Sequence, residues 1–430
     1  MIQFARFVLS NGLRVIVHED ASTPMAVVNV LYDVGARDED PDRTGFAHLF
    51  EHLMFGGSIH IAEYDDELQK AGGENNAYTT NDLTNYYCQL PAANIETAFW
   101  LESDRMLSLA FSKKSLDVQR KVVSEEFKEH YLNRPYGDVW FKMRELAFEK
   151  HPYKWMTIGR ELKHIEEATL ADVKSFFSKH YNPSNAILVV AGNVVTEQVY
   201  ALAEKWFGSI PAGEKYQRAI EQEPAQTAPR RLDMTANVPV DAFVKTWHMP
   251  ARNDPRYYVV DLMSDILGHG ASSRLYQALV KEKHLFTNLD CYHFGSSDAG
   301  LLTVEGRLVK GVKPEEAEAA VEEQISLLKE KGVTEAELEK VKNKTESTLA
   351  FEDMSVMNRA ASLAYYELLG DAALMNEELA RYQAVTANDI LLESRRILTE
   401  NNSHTLYYRA AENTAVLVGD LENEEEEDDD

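Results

Sequence analysis

The sequence has few cysteines, no long apolar run and a shortage of basic residues. Its two cysteines, Cys88 and Cys291, lie far apart in a chain of 430 residues and belong to no spaced cluster. We therefore expect buried thiols and a reducing compartment, rather than a disulfide framework or a cysteine-ligated metal. No stretch of the chain approaches the roughly 20 apolar residues that span a bilayer, so we expect no membrane partner.

Acidic residues outnumber basic ones by 71 to 44, which gives a formal net charge of −27. This balance argues against a nucleic-acid partner. Residues 419–430 are mostly acidic and are predicted to form a disordered tail. The first residues, 1–17, contain charges and no small-residue cleavage site, which predicts a cytoplasmic protein. A periplasmic location would require that a signal peptide had been removed.

The most informative segment of the chain is HLFEH, from His48 to His52. On a helix, histidines at i and i+4 point from one face, so both imidazoles can bind one zinc ion at about 2.0–2.1 Å. Glu51 lies beside them, where its carboxylate can take a proton from water and later pass it to a leaving amine. The surrounding residues are apolar, so we expect partly buried histidines that need a partner. The alternative is an ordinary helix with two surface histidines.

A catalytic zinc site has three protein ligands and one open position. The third ligand is expected on a second helix, and the amphipathic segment 115–132 (SLDVQRKVVSEEFKEHYL) is the best candidate.

Within this segment, Val122 and Val123 are predicted to mark the buried side. Glu126 follows them by four and three residues and therefore faces inward, whereas Glu125 is rotated away by about 100°. Glu129, one turn further on, remains an alternative ligand.

Between these two helices lies GGENNAYTTNDLTNYY, residues 72–87, which is turn-rich at its start and strand-like at its end. An edge strand beside a zinc site can hold an extended peptide by strand addition. The alternative is a hairpin that binds no ligand.

The chain is predicted to be duplicated. Segments 168–192 and 384–410 each contain a Thr-x-x-Asp helix start, an amphipathic helix, an Asn-containing break and an apolar strand. In both halves, an earlier apolar strand leads into a helix. Aligning the ends of those helices places Asp261, Ser264 and Asp265 opposite the HLFEH residues, so the second half lacks both histidines.

We therefore predict an α+β fold of two homologous domains, each with helices on a mostly antiparallel sheet. The predicted domains are residues 1–210, which carry the metal site, and 231–418, which do not. The proline-containing segment 211–230 is the expected linker.

Together these motifs resemble the M16 (pitrilysin, or insulinase-like) zinc metallopeptidases, in particular the short two-domain subunits similar to those of mitochondrial processing peptidase and to bacterial relatives. The resemblance covers nearly the whole chain and implies the LuxS/MPP-like metallohydrolase fold. It implies one zinc ion held by His48, His52 and Glu126, with Glu51 as general base. Asn76 and Ala77 would then lie along the peptide backbone.

Two departures from the family pattern stand out. Gln119 replaces a glutamate that usually supports the metal site seven residues before the third ligand. In the second half, Lys281 stands in place of an arginine, and Thr287 or Asn288 in place of a tyrosine, that help hold the substrate and the oxyanion.

The resemblance thus predicts a zinc-dependent endopeptidase subunit that acts on peptides or unfolded segments. Its partner would be a homologous chain that supplies the Arg/Tyr pair, or a second copy in a homodimer. A non-catalytic scaffold or binding subunit is the main alternative, and a small-molecule metallohydrolase is another.

Overall fold

The computed structural model describes residues 1–411, so the predicted acidic tail lies outside the described residues. The strands of the first half are β1 (Ala5–Val8), β2 (Arg14–Glu19), β3 (Met25–Tyr32), β4 (Glu74–Thr79), β5 (Thr84–Pro91) and β6 (Ala186–Gly192). Those of the second half are β7 (Arg230–Ala236), β8 (Ala242–Met249), β9 (Phe286–Phe294), β10 (Gly300–Leu308) and β11 (Ser403–Ala410).

Helices precede, follow and cover these strands. In the first half they are α1 (Phe46–Leu53), α2 (Tyr64–Lys70), α3 (Ile95–Leu107), α4 (Lys113–Phe127), α5 (Val139–Ala147), α6 (Leu162–Glu166), α7 (Leu170–His180) and α8 (Thr196–Phe207). In the second half they are α9 (Tyr257–Gly268), α10 (Pro314–Lys331), α11 (Glu335–Glu352), α12 (Val356–Leu368), α13 (Glu378–Ala384) and α14 (Ala387–Ile397).

The two sheets share the order of five strands, and the first sheet has one extra edge strand, β1. The shared order confirms the predicted duplication. The first sheet has the order β1-β2-β6-β3-β5-β4, and the second has β7-β11-β8-β10-β9. Each contains a single parallel pair, β2 with β6 and β7 with β11, and its other pairs are antiparallel. The predicted α+β fold class is therefore confirmed. The edge strands β4 and β9 occupy equivalent places in the two halves.

Helices α7 and α14 begin in the same way because the sequences at their starts match. Thr169 and Asp172 form a capping box at the start of α7, and Thr386 and Asp389 do the same for α14. In each box the threonine side chain accepts a hydrogen bond from the third helical N–H, and the aspartate accepts one from the threonine N–H. Both signals were predicted from the sequence, and both are confirmed.

In each half, one helix packs against the sheet of the other half. Helix α5 of the first half packs Val139 and Met143 against Val244 and Leu406 of the second sheet. Helix α12 of the second half packs Leu363 and other apolar residues against β2, β3 and β6. Both sheets are thus covered on two faces, and the reciprocal exchange joins the two halves through apolar contacts.

The tips of the β4–β5 and β9–β10 hairpins also meet. The Ser297 N–H donates to the carboxylate of Asp82 at 2.8 Å, and the Tyr153 hydroxyl donates to the same carboxylate at 2.5 Å. Arg37 donates to Asp298 at 3.0 Å. The second half therefore anchors the turn that directly follows β4.

The segment between α8 and β7 contains no helix or strand. It is fastened at two points: Arg218 pairs with Asp33 and Asp38, and Glu223 accepts backbone hydrogen bonds from residues 149–151.

The two cysteines are free and buried, as predicted. Among residues 1–411, no helix has the length and apolar character required to cross a membrane.

Candidate metal centre

Helix α1 begins at a site that only glycine accommodates easily. Gly45 has a φ of +89°, and an added Cβ would lie 2.7 Å from the Ile158 carbonyl oxygen. The carboxylate of Glu39 accepts hydrogen bonds from the N–H groups of Gly45 and Ala47, each at 2.8 Å. This contact satisfies backbone donors that the first turn of a helix leaves open.

The apolar residues of α1 determine which face carries the polar ones. Phe46, Leu49, Phe50 and Leu53 are buried in the hydrophobic core of the first half, called here the first core. The imidazoles and the carboxylate between them are left to face α4 and β4, two of the elements packed against this helix.

The structure brings the predicted ligands together. The Nε2 atom of His52 lies 3.4 Å from Oε2 of Glu126, and the Nε2 atom of His48 lies 3.8 Å from the same oxygen. The two imidazole rings are 4.9 Å apart and nearly perpendicular. Within residues 1–411, no second group of three His, Cys, Asp or Glu side chains meets as closely.

This donor set fits a zinc ion. Two tetrahedral ligands at about 2.0–2.1 Å from zinc lie about 3.3–3.4 Å apart, close to the distance between His52 and Glu126. The three side chains are only 19–31% exposed. No described residue donates a hydrogen bond to the Glu126 carboxylate, which therefore faces two imidazoles without a compensating cation.

The electrostatics favour the ligand form of His48. Burial, assisted by the neighbouring His52, lowers the pKa of His48 to about 4. The imidazole is therefore neutral near pH 7, which is the form that binds a metal.

The general-base candidate, Glu51, is also partly desolvated. Burial raises the pKa of its carboxyl group, and a hydrogen bond from Thr79 acts in the opposite direction. A raised carboxyl pKa moves Glu51 towards the range useful for proton transfer near neutral pH.

Helix α4 presents Glu126 to the site, although the predicted burial of Val122 was wrong. Val123 is fully buried, but Val122 is 39% exposed and does not mark the buried side. Apolar side chains on a surface helix are often exposed, so the pair Val122–Val123 was an unreliable guide. Glu125 is 72% exposed and pairs with Lys128 at 2.8 Å. Glu129 is exposed in the wider helical turn Lys128–Leu132.

The predicted peptide-binding residues lie on the edge strand β4. Asn76 is exposed, and Ala77 is partly buried and packs on the first core. The Asn76 side chain accepts a hydrogen bond from the Ala77 N–H at 2.8 Å. Within the described part of the chain, strand β4 pairs only with β5, and its other edge is open.

Thr79 was missed by the sequence analysis. Its hydroxyl donates to Oε2 of Glu51 at 2.6 Å. The two residues are 28 positions apart, and the only signal in the sequence is the position of Thr79 at the end of the strand-forming segment.

The two departures from the family pattern occupy different environments. Gln119 is partly buried on α4, and its side chain makes no hydrogen bond within residues 1–411. Lys281 is exposed, with its ammonium 5.6 Å from the centre of the Tyr276 ring. Thr287 and Asn288 begin β9 and hydrogen-bond to the Arg307 backbone.

The equivalent place in the second half holds an aspartate–histidine contact. Asp261 on α9 lies 2.9 Å from Nε2 of His293 on β9, and the Tyr382 hydroxyl donates to the same aspartate. Asp265 pairs with Lys344 at 3.2 Å. Both aspartates of α9 thus have hydrogen-bonding side-chain partners, whereas no described residue donates a hydrogen bond to Glu126.

Two family models match the chain. The model described as Insulinase (Peptidase family M16) matches residues 14–154, and the model described as Peptidase M16 inactive domain matches residues 167–345. The chain belongs to peptidase family M16. The first match contains the HLFEH helix and Glu126, and the second covers most of the half that lacks both histidines. The recognition of the M16 family from the sequence is confirmed.

Two known proteins resemble the chain over most of its length. It is 28% identical over 410 residues to the zinc protease PqqE of Helicobacter pylori, covering 93% of this chain and 91% of that protein. It superimposes on the crystal structure of a protease from Helicobacter pylori with a TM-score of 0.89 and 27% identity, covering 95% of this chain and 100% of that one.

A shorter match is with a peptidase subunit. The chain is 29% identical over 209 residues to the mitochondrial-processing peptidase subunit beta of Saccharomyces cerevisiae, covering 48% of this chain and 45% of that protein.

Proposed function

We propose that this chain is a zinc-dependent endopeptidase subunit that hydrolyses peptides or unfolded segments. The observation that carries the proposal is the convergence of His48, His52 and Glu126 beside the Glu51 carboxylate and an open strand edge. The zinc-protease name of the PqqE relative supports the same metal and reaction class.

His48, His52 and Glu126 would hold the ion, and zinc, when bound, supplies a Lewis acid for hydrolysis. Glu51 takes a proton from the attacking water as the water oxygen bonds to the scissile carbonyl carbon. The carboxyl group then returns that proton to the amine as the C–N bond breaks. The raised pKa of Glu51 suits both transfers.

The substrate binds as an added strand along β4. An extended peptide can pair with the open edge through its backbone, which gives affinity without requiring one particular sequence. Asn76 is exposed on this strand, and the Ala77 N–H donates a hydrogen bond to the adjacent Asn76 side chain. A peptide carbonyl can replace that local contact.

Full activity requires a second chain of the same plan. The position of the family arginine holds the exposed Lys281, and a lysine lacks the planar, bidentate geometry of arginine. Thr287 and Asn288 are engaged by β10 and provide no phenol. A homologous partner could supply the Arg/Tyr pair, and a homodimer would have Lys281 as a weaker substitute. The subunit name of the yeast relative supports a two-chain enzyme.

The replacement of the Arg/Tyr pair by Lys281 and by Thr287 or Asn288 also favours a second candidate, a non-catalytic scaffold or binding subunit. A chain that has lost the oxyanion donors could retain its metal site for structure alone.

A paired measurement of metal content and cleavage separates the two functions. The isolated chain and the complex purified from its native cell are loaded with zinc and assayed on a panel of unstructured peptides, with and without a chelator. Chelator-sensitive cleavage that increases in the complex supports the endopeptidase. Stoichiometric zinc without cleavage in either sample supports the scaffold. Vigorous cleavage by the isolated chain would contradict the need for a partner.

A further inference from the structure

Glu51 has one side-chain hydrogen-bond donor among residues 1–411, and that donor is Thr79. The Thr79 Oγ1 atom donates to Oε2 of Glu51 at 2.6 Å. A hydroxyl–carboxylate bond of about 2.5–2.7 Å is charge-assisted and among the stronger side-chain hydrogen bonds. The hydroxyl thus holds one oxygen of the Glu51 carboxylate, and the Thr79 N–H acts on the same group.

Thr79 is well placed to hold this carboxylate still. Asn75, Ala77 and Thr79 alternate with more exposed residues along β4 and lie on the face towards α1. As a β-branched residue, threonine has few accessible χ1 rotamers, which reduces the entropy lost in fixing its hydroxyl.

The backbone of Thr79 is fixed on both sides. Within the sheet it pairs with Thr84 of β5. The turn that follows is closed by the hydrogen bond from Thr80 N–H to the Leu83 carbonyl at 2.9 Å, and it contains Asp82, the residue anchored by the second half. The hydroxyl is therefore presented from a rigid support.

We propose that Thr79 is the positioning residue for the general base: its hydroxyl fixes the orientation of Glu51 from the strand that binds the peptide. This inference rests on the proposed function for its effect on rate. Its geometric content, the orientation of the carboxylate, is independent of any activity.

Three variants test it. Thr79→Val removes the hydroxyl at nearly constant shape, and Thr79→Ser retains it. Thr196→Val is the matched control, because the Thr196 hydroxyl donates to a glutamate, Glu19, at the same 2.6 Å but on the exposed start of α8. The readouts are zinc content, kcat and KM on an unstructured peptide, and crystal structures of the zinc-loaded wild type and Thr79→Val.

Thr79→Val is expected to lower kcat by about 10–100-fold, the usual cost of removing a group that orients a catalytic residue. KM and zinc content should stay within about twofold of wild type, Thr79→Ser should recover most of the rate, and Thr196→Val should match wild type. In the crystal structure of Thr79→Val, the Glu51 carboxylate should rotate or occupy more than one conformer.

An unchanged, single Glu51 conformer in Thr79→Val, or an unchanged kcat, would overturn the proposal. Equal impairment of Thr79→Ser and Thr79→Val would also overturn it, since the hydroxyl would then not be the active group. If the zinc-loaded complex cleaves no peptide, the proposed function fails, and the two crystal structures still decide the role of Thr79.

Discussion

Replacing Glu126 with glutamine should empty the metal site without unfolding the protein. The substitution preserves shape but removes the only carboxylate among residues 1–411 that lies within 4 Å of both imidazoles, at 3.4 and 3.8 Å. Substitutions of groups that merely support metal ligands typically cost about 10–100-fold in metal affinity. Loss of a direct anionic ligand should therefore weaken zinc binding by at least about 100-fold, or about 2.7 kcal/mol.

The fold should tolerate this change. Glu126 receives no hydrogen bond from any described residue, so the metal-free variant loses no stabilising partner and should unfold at or above the wild-type temperature. Glu125→Gln is the matched control, since Glu125 is 72% exposed and pairs only with Lys128. An exposed pair of this kind contributes about 0–1 kcal/mol to stability.

The assay is competition for zinc against a chromophoric chelator of known affinity, combined with thermal unfolding of the metal-free proteins. We expect Glu126→Gln to lose zinc and Glu125→Gln and Glu129→Gln to retain it. If Glu125→Gln or Glu129→Gln is the variant that loses zinc, the assignment of the third ligand is wrong.

Three further predictions concern Glu51, strand β4 and the buried His180. Glu51→Gln should retain zinc and lose turnover by about 10²–10⁴-fold, because the proton acceptor is removed, and normal rates in this variant at saturating zinc would exclude Glu51 as the base. Ala77→Pro should weaken peptide binding to a Glu51→Gln protein, measured by calorimetry, because proline has no N–H, whereas equal affinity would place the peptide elsewhere. Burial lowers the pKa of His180 to about 3. As the pH drops from 7 to 5, the imidazole of His180 is therefore protonated in the unfolded chain but not in the folded one. The free energy of unfolding should fall over this range. His180→Phe should remove up to about 2 kcal/mol of that fall in urea titrations, and an unchanged pH dependence would contradict the burial argument.

The sequence predicted the elements whose signals are local. The paired capping boxes at Thr169 and Thr386 were predicted from a four-residue pattern, and the structure contains both. The ligand pair His48 and His52 likewise depends only on helical spacing. The inward direction of Glu126 also follows from helical spacing, although only Val123 of the two valines supports it.

The sequence contains much weaker signals for contacts between residues that are far apart in the chain. Helices α5 and α12 have apolar faces, but an amphipathic pattern does not say which sheet a helix will cover. The contact between Thr79 and Glu51 joins a strand to a helix across 28 residues, and only the folded chain reveals it. The exposure of Val122 shows the converse error, since an apolar residue on a helix need not be buried.

The most direct test of the central claim compares one native complex with its Glu51→Gln counterpart. Each is purified from the native cell, its zinc content is measured, and its products from an unstructured peptide are counted by mass spectrometry. The account predicts one zinc per chain in both samples, with chelator-sensitive cleavage only in the wild type. Equal cleavage by the two complexes, or no cleavage by a zinc-loaded wild type, would contradict it.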